Sequence, residues 1–436
     1  MGRGKGACVF VGREVHVRRR PRAGRGGSGP DHRPVAAPAP PRGQLPRGQF
    51  RTVLTVAGIL LVAAGTQVIP TTPVPSVEIS PVAAMLPGVP FDVRVQENLR
   101  RVAEAVTEAD AELAEVYQAI LDAGRQLLHF DPEANRGRGA WAELVGTIDE
   151  ATEVVGILVP GSSAFMVDAN FDKYYRRARD LVEEADGRLA MVVWAAGTFP
   201  KGWVQASLNR YPAELGRSLA LFSQDLRLEL DRELGPSHRV RVVAIGHSFG
   251  GAVVGAAERY GLAADAVLHV ASAGVGRVHD PYDFPEPLRP RYSMTAPGDL
   301  ISLVQGLPAP PGLGHGPDPD EFRCVTTLPT GQLPDDPTAR DEFGRPLGDR
   351  AGSTIGGVSS HSDIFIRHSD AWWGVYRFLV GTVPPPPDCP PPDDPGPLRA
   401  RLLPLAVPRV VTDSQCRAGG GLRPGGRHRP PAPRPA

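Results

Sequence analysis

Ser248 sits in Gly246-His247-Ser248-Phe249-Gly250, between an apolar β-branched run, Val240 to Ile245, and a helix-compatible run of small residues, Gly251 to Ala257. That order is the strand, sharp turn and helix of a nucleophile elbow. The turn holds its central serine in a strained conformation with Oγ above the strand end. Bulky neighbours would clash there, so glycine is required two residues before and two after. The first N–H of the following helix, on Phe249, then points at the same spot. It can stabilise an oxyanion formed as Ser248 attacks a carbonyl. The bare pentapeptide is weak evidence. With 50 Gly in 436 residues chance gives roughly 0.3 matches per chain, so the flanking strand and helix carry the argument.

A serine hydroxyl needs a base within hydrogen-bond reach and a carboxylate to orient that base. Behind an elbow of this kind the chain order is Ser, then Asp or Glu, then His. Asp299 follows a strand-like run and a Pro297-Gly298 turn, where an orienting carboxylate belongs. A helix N-cap on Leu300 to Val304 is its structural alternative, and Asp280 and Asp283 are rivals. His361, in Ser359-Ser360-His361-Ser362-Asp363, fits the base position before the closing helix, with His368 and His315 as rivals. The second oxyanion donor is expected from Pro160-Gly161-Ser162-Ser163, through Ser162 or Ser163. The acidic residues near His315 have no ligand spacing, and no phosphate loop, dinucleotide fingerprint or zinc pattern is present. No metal or cofactor is therefore expected.

Strands and helices must alternate to place these residues. Strands are expected at Trp141–Ile148, Val154–Val159, Leu189–Trp194, Ala266–Val270, Arg291–Ala296 and Cys324–Leu328. Helices are expected at Asp172–Ala185, Pro212–Leu234 and Ala371–Val380. Continuous apolar runs mark strands buried on both faces, so the fold class is α/β: a mostly parallel sheet with helices on both faces. An amphipathic helical segment precedes it, with Val95, Leu99, Val102, Val106, Leu113, Val116 and Ile120 at three- and four-residue steps.

The flanks differ in character. Basic and acidic residues balance at 48 each, so nothing in the net charge suggests a nucleic-acid partner. Residues 1–51 form a basic, Arg-rich region expected to be disordered. Residues 52–69 contain an uncharged run that reads as a signal peptide or a signal anchor, with a buried core helix as the alternative. Small residues at Val62-Ala63-Ala64-Gly65 suit cleavage, yet the basic region before them is long, which leaves a downstream start or a retained anchor open. Residues 70–90 are a Pro-rich connector, 91–128 the helical segment, 129–383 the catalytic domain, and 384–436 a Pro/Arg/Gly-rich tail. Cys324 with Cys389 is a candidate bridge for an exported protein.

From about Leu127 to Val380 the chain resembles the actinobacterial α/β-hydrolases of unassigned substrate, relatives of esterases and lipases. The likeness rests on VPGSS, the elbow GHSFGG, YSMTAPGDLI, and HSD before the closing helix. It implies an α/β-hydrolase fold with Ser248 as nucleophile, Asp299 as orienting acid and His361 as base. The expected activity is cleavage of a small-molecule or lipid carboxylic ester through an acyl-enzyme. Segments Phe199–Tyr211 and Tyr282–Tyr292 are candidate acyl-pocket walls. Two alternatives stay open: an acyltransferase using the same triad, and a non-catalytic cell-envelope module acting through its helix or tails. The expected location is secreted or membrane-anchored, with possible membrane or cell-envelope association.

Overall fold

The computed structural model describes residues 88–392, except 168, 307 and 308. The basic arm, the signal-like run, most of the Pro-rich connector and most of the tail lie outside the described residues. Among the described residues, no helix is long and apolar enough to cross a membrane.

The helical segment is two helices rather than one, α1 (Phe91–Glu108) and α2 (Ala111–Asp122). Asp110 interrupts the periodicity because its carboxylate caps α2, accepting from Leu113 N–H at 3.0 Å. A strand absent from the sequence reading follows directly, β1 (Gln126–Asp131). Then come β2 (Ala140–Val145), β3 (Val154–Val159), α3 (Asn170–Glu184), β4 (Leu189–Ala195) and α4 (Arg210–Leu234). The rest is β5 (Arg241–His247), α5 (Phe249–Arg259), β6 (Ala266–Val270), β7 (Arg291–Met294), β8 (Val325–Thr327) and α6 (Asp370–Leu379).

The eight strands lie in the order β1-β2-β4-β3-β5-β6-β7-β8. β2 pairs antiparallel with both β1 and β4, and every later pairing is parallel. Strands β3 to β6 are buried along nearly their whole length, as parallel strands covered by helices must be. α3 packs on β2 and β4, and α5 packs on β3, β5 and β6 and against α4. The chain leaves β3 towards β4 on one side and returns to β5 on the other. The loops after β3 and β5 therefore part at their carboxyl ends, and such a switch point opens a crevice.

The Cys324–Cys389 disulfide is formed, across a separation of 65 residues. In the chain-entropy picture, closing a loop of that length stabilises the fold by up to about 4 kcal/mol. It fixes the segment after α6 against β7 and its flanks. Tyr292 donates to Pro384 O, Tyr282 to Cys389 O and Arg323 to Pro390 O.

His269, on β6, is buried and, among the described residues, neither ring nitrogen has a hydrogen-bond partner. Burial, only partly offset by the Glu258 carboxylate and reinforced by the Arg291 cation, lowers its pKa to about 4 from 6.5. The unfolded chain therefore binds a proton as pH falls through 6.5, while the folded protein resists until about pH 4. Stability is full above pH 6.5 and falls across that window by about 3 kcal/mol, at 1.36 kcal/mol per pH unit. We predict that His269→Leu flattens this acid loss and is neutral or stabilising at pH 7, because no hydrogen bond is given up. Urea unfolding of both proteins at pH 7.5 and 4.5 checks it. Equal losses in the two would show that His269 is not responsible.

Candidate active site

Glycine makes the elbow possible. Ser248 has φ 58° and ψ −125°, a left-handed conformation that costs about 1–3 kcal/mol in a non-glycine residue. It is held by Ser248 N–H to Val270 O (2.9 Å) and by two donors to its carbonyl, Gly251 N–H (3.1 Å) and Ala273 N–H (3.0 Å). A Cβ on Gly246 would lie 2.5 Å from Gly250 O, and one on Gly250 would lie 2.2 Å from Val159 O. These are the two positions at which the motif demands glycine. Phe249 opens α5, so its N–H has no partner within the helix.

The loop after β3 faces the serine. A Cβ on Gly161 would lie 3.1 Å from Ser248 Cβ and 3.5 Å from its Oγ. The two loop serines differ. Ser163 N–H donates to Pro200 O at 2.8 Å, and its hydroxyl oxygen accepts from Gly202 N–H at 3.0 Å. Ser163 is therefore spent on holding the 200–202 turn, which corrects its assignment as an oxyanion donor. Among the described residues no backbone bond takes the Ser162 N–H, so Ser162 is the donor left on this loop.

Asp299 and His361 are brought together. His361 Nδ1 lies 3.0 and 3.1 Å from the two Asp299 carboxylate oxygens. Asp299 is buried and also accepts from Ile301 N–H at 2.9 Å. The N-cap role and the contact to His361 thus coexist on one carboxylate. Close backbone packing joins the two loops: Gly357 N–H donates to Pro297 O at 2.9 Å, and a Cβ on Gly298 would lie 3.2 Å from Gly357 N. The His361 side chain is 30% exposed, so one edge can meet a substrate. Among the described residues Ser248 Oγ makes no hydrogen bond. Contacts of this kind often tighten only when substrate binds.

The rivals are occupied elsewhere. Asp280 pairs with Arg323 (2.9 Å) and caps Tyr282 N–H. Asp283 accepts from His279 and Asp280 N–H. His368 is exposed, stacks on Trp373 and faces Glu184 at 3.4 Å. His315 is closer to the site, edge-on to Phe249 at 5.8 Å, but its Nε2 bonds Ala206 O and, among the described residues, no carboxylate orients it.

His247 and Tyr174 have no assigned role in the sequence reading. His247 Nε2 bonds His361 O at 2.9 Å, and its ring lies 4.9 Å from the His361 ring. Its Nδ1 bonds the Tyr174 hydroxyl at 2.7 Å. Burial, with Arg177 and His361 adding to it, pushes the His247 pKa well below the usual histidine value, so the ring is neutral. The available signal was an ionisable residue ending a buried parallel strand.

Of the two expected pocket walls, the first reaches the elbow: Phe199 packs on Phe249 with ring centroids 6.0 Å apart. The second packs on the disulfide-bound segment and on a small cluster of Val275, Val278, Phe284 and Phe322.

A strained serine in the turn between β5 and α5 and a mostly parallel sheet in this strand order define one architecture. The chain has the α/β-hydrolase fold. Residues 132–308 match a family model described as alpha/beta hydrolase; the match includes Ser248 and Asp299 and ends before His361. Three solved structures are similar at low identity. A poly(3-hydroxybutyrate) depolymerase from Bordetella parapertussis is 16% identical, covering 49% of this chain and 87% of that one, with TM-score 0.29. An esterase domain from Rhodothermus marinus is 15% identical, covering 57% and 94%, with TM-score 0.28. A lidless serine hydrolase from Xanthomonas campestris is 18% identical, covering 48% and 84%, with TM-score 0.25. No curated protein matches the chain.

Proposed function

We propose that this α/β-hydrolase cleaves carboxylic esters, of small molecules or lipids, with Ser248, His361 and Asp299 as its triad. The observation that carries the reading is the buried Asp299 carboxylate on His361 Nδ1, beside a strained serine that faces Gly161. Asp299 accepts a hydrogen bond from His361 Nδ1–H, which leaves Nε2 unprotonated. Nε2 takes the Ser248 hydroxyl proton as Oγ bonds to the ester carbonyl carbon. The carbonyl oxygen becomes an oxyanion facing Phe249 N–H and Ser162 N–H. The C–O bond to the alcohol breaks, and the imidazolium returns its proton to the leaving alkoxide. Water then attacks the acyl carbon, gives its proton to Nε2, and Ser248 Oγ leaves protonated.

The disulfide supports an extracytoplasmic, secreted or anchored, location; ready alkylation of Cys324 in freshly isolated, unreduced protein would argue against it. The enzymatic test is a fluorophosphonate probe on wild type, Ser248→Ala and His361→Ala. Wild type labels, and both variants lose about 10⁴-fold or more in rate while remaining folded. A folded wild type that does not label, or a Ser248→Ala protein that still does, overturns the assignment.

A further inference from the structure

We propose that Tyr174 and His247 are positioning residues that hold His361 and the loop after β3 in fixed relation to Ser248. The inference rests on the triad reading above and adds to it the device that sets the base in place.

The hydrogen bonds form one directed chain. Gly161 N–H donates to the Tyr174 hydroxyl oxygen at 2.8 Å. That oxygen has one proton of its own, and His247 Nδ1 lies 2.7 Å away. A carbonyl can only accept, so His247 Nε2 must carry the proton that reaches His361 O at 2.9 Å. Nδ1 is then the lone-pair nitrogen and accepts from the phenol. Only one tautomer of His247 fits this chain. The His361 carbonyl therefore sets the tautomer, and the Tyr174 hydroxyl supports it by donating to the Nδ1 lone pair.

The two ends of the chain are what give it a role beyond filling the core. One end is the backbone of Gly161, whose absent Cβ leaves Ser248 room and whose neighbour Ser162 offers the remaining loop donor. The other end is the backbone of the base itself. A single phenol oxygen thus ties the oxyanion loop to the base loop, underneath the nucleophile. The chain is dry: Tyr174 and His247 are 2% and 3% exposed, so no bulk water substitutes for a lost partner.

Packing fixes the chain from behind. The Arg177 guanidinium lies over the Tyr174 ring at 4.9 Å and the Phe365 ring at 4.2 Å. Phe365 in turn packs edge-on to His247 at 5.2 Å. Arg177 reaches Glu342 at 3.4 Å, in the long irregular segment between β8 and His361. A cation beside His247 also disfavours its protonation, so the ring keeps one donor and one acceptor.

The test compares Tyr174→Phe, His247→Leu and His247→Gln with wild type in the full chain. Gln carries an N–H donor near the Nε2 position and Leu carries none. Loss of the relay displaces the base and loosens the oxyanion loop, which act in the transition state more than in substrate binding, and displacements near 1 Å cost about 100-fold. We expect kcat for a p-nitrophenyl ester to fall about 10- to 100-fold in Tyr174→Phe and His247→Leu, with KM changed less than about threefold. His247→Gln should recover most of that loss. A purely structural role would lower Tm in all three and leave kcat per folded molecule unchanged, and that result overturns the proposal. Long-range ¹H–¹⁵N spectra of the imidazoles give a readout independent of turnover. His247 should appear as the Nε2–H tautomer in wild type, and the His361 ring resonances should move in Tyr174→Phe. The opposite His247 tautomer also overturns the proposal. If wild type shows no turnover while both spectral results hold, the relay stands and the triad reading falls.

Discussion

Asp299→Asn should fold normally and lose about 10⁴-fold in ester turnover, the size expected when the orienting carboxylate of a triad becomes an amide. The substitution preserves shape. Its amide oxygen can still accept from Ile301 N–H, now 2.9 Å from Asp299 Oδ1, so the cap after β7 survives. The amide NH₂ then faces His361 Nδ1 as a donor where a carboxylate accepted at 3.0 Å. Nδ1 must become the acceptor, and the proton moves to Nε2, the atom required to take the Ser248 proton. The nucleophile, the loop donors and the pocket are untouched, so KM should stay near wild type while kcat collapses. Steady-state kinetics with a p-nitrophenyl ester and a thermal melt decide it. A loss below about tenfold in a folded protein would remove Asp299 from the triad. Asp280→Asn is the control, since that carboxylate serves Arg323 and a local turn.

What the sequence revealed follows from how each feature is encoded. β3, β4, β5 and β6 are continuous apolar runs between turn residues, so their positions were legible to within a residue or two, and the elbow came with its own glycines. Asp299 and His361 were legible through chain order together with the Pro297-Gly298 and HSD settings. β1 was not. Gln-Leu-Leu-His-Phe-Asp follows a helix without a clear break in apolar spacing, and only pairing with β2 makes it a strand. The relay was equally hidden. Tyr174 and His247 are 73 residues apart, and Tyr174 sits on a charged surface-type helix where an aromatic reads as ordinary packing. The duty of Ser163 could not be read either, because its partner Pro200 O lies beyond β4, across a contact that exists only once the sheet is assembled.

Gly250→Ala should be a severely damaging single-methyl change, and it tests whether the elbow is truly seated on β3. The added Cβ would lie 2.2 Å from Val159 O and 2.4 Å from Pro160 O. Both are backbone atoms, one ending a central parallel strand and the other leading into Gly161, so no side-chain rotation relieves the clash. The first turn of α5 must lift from β3 and take Ser248 with it. Overpacking a core typically costs about 1–3 kcal/mol, and a backbone clash belongs at or above the top of that range. In whatever fraction folds, probe labelling at Ser248 should fall by about 100-fold, because the oxyanion donors lie on both sides of the widened contact. Gly251→Ala is the informative contrast. Its Cβ would meet the Ser272 hydroxyl oxygen at 2.0 Å, a side-chain obstacle that Ser272→Gly removes. The double variant should therefore regain much of the lost Tm, while no side-chain change rescues Gly250→Ala. Melting and labelling of all three variants check this. A Gly250→Ala protein that melts and labels like wild type would mean that α5 does not approach β3 this closely, and the geometry proposed for the nucleophile would go with it.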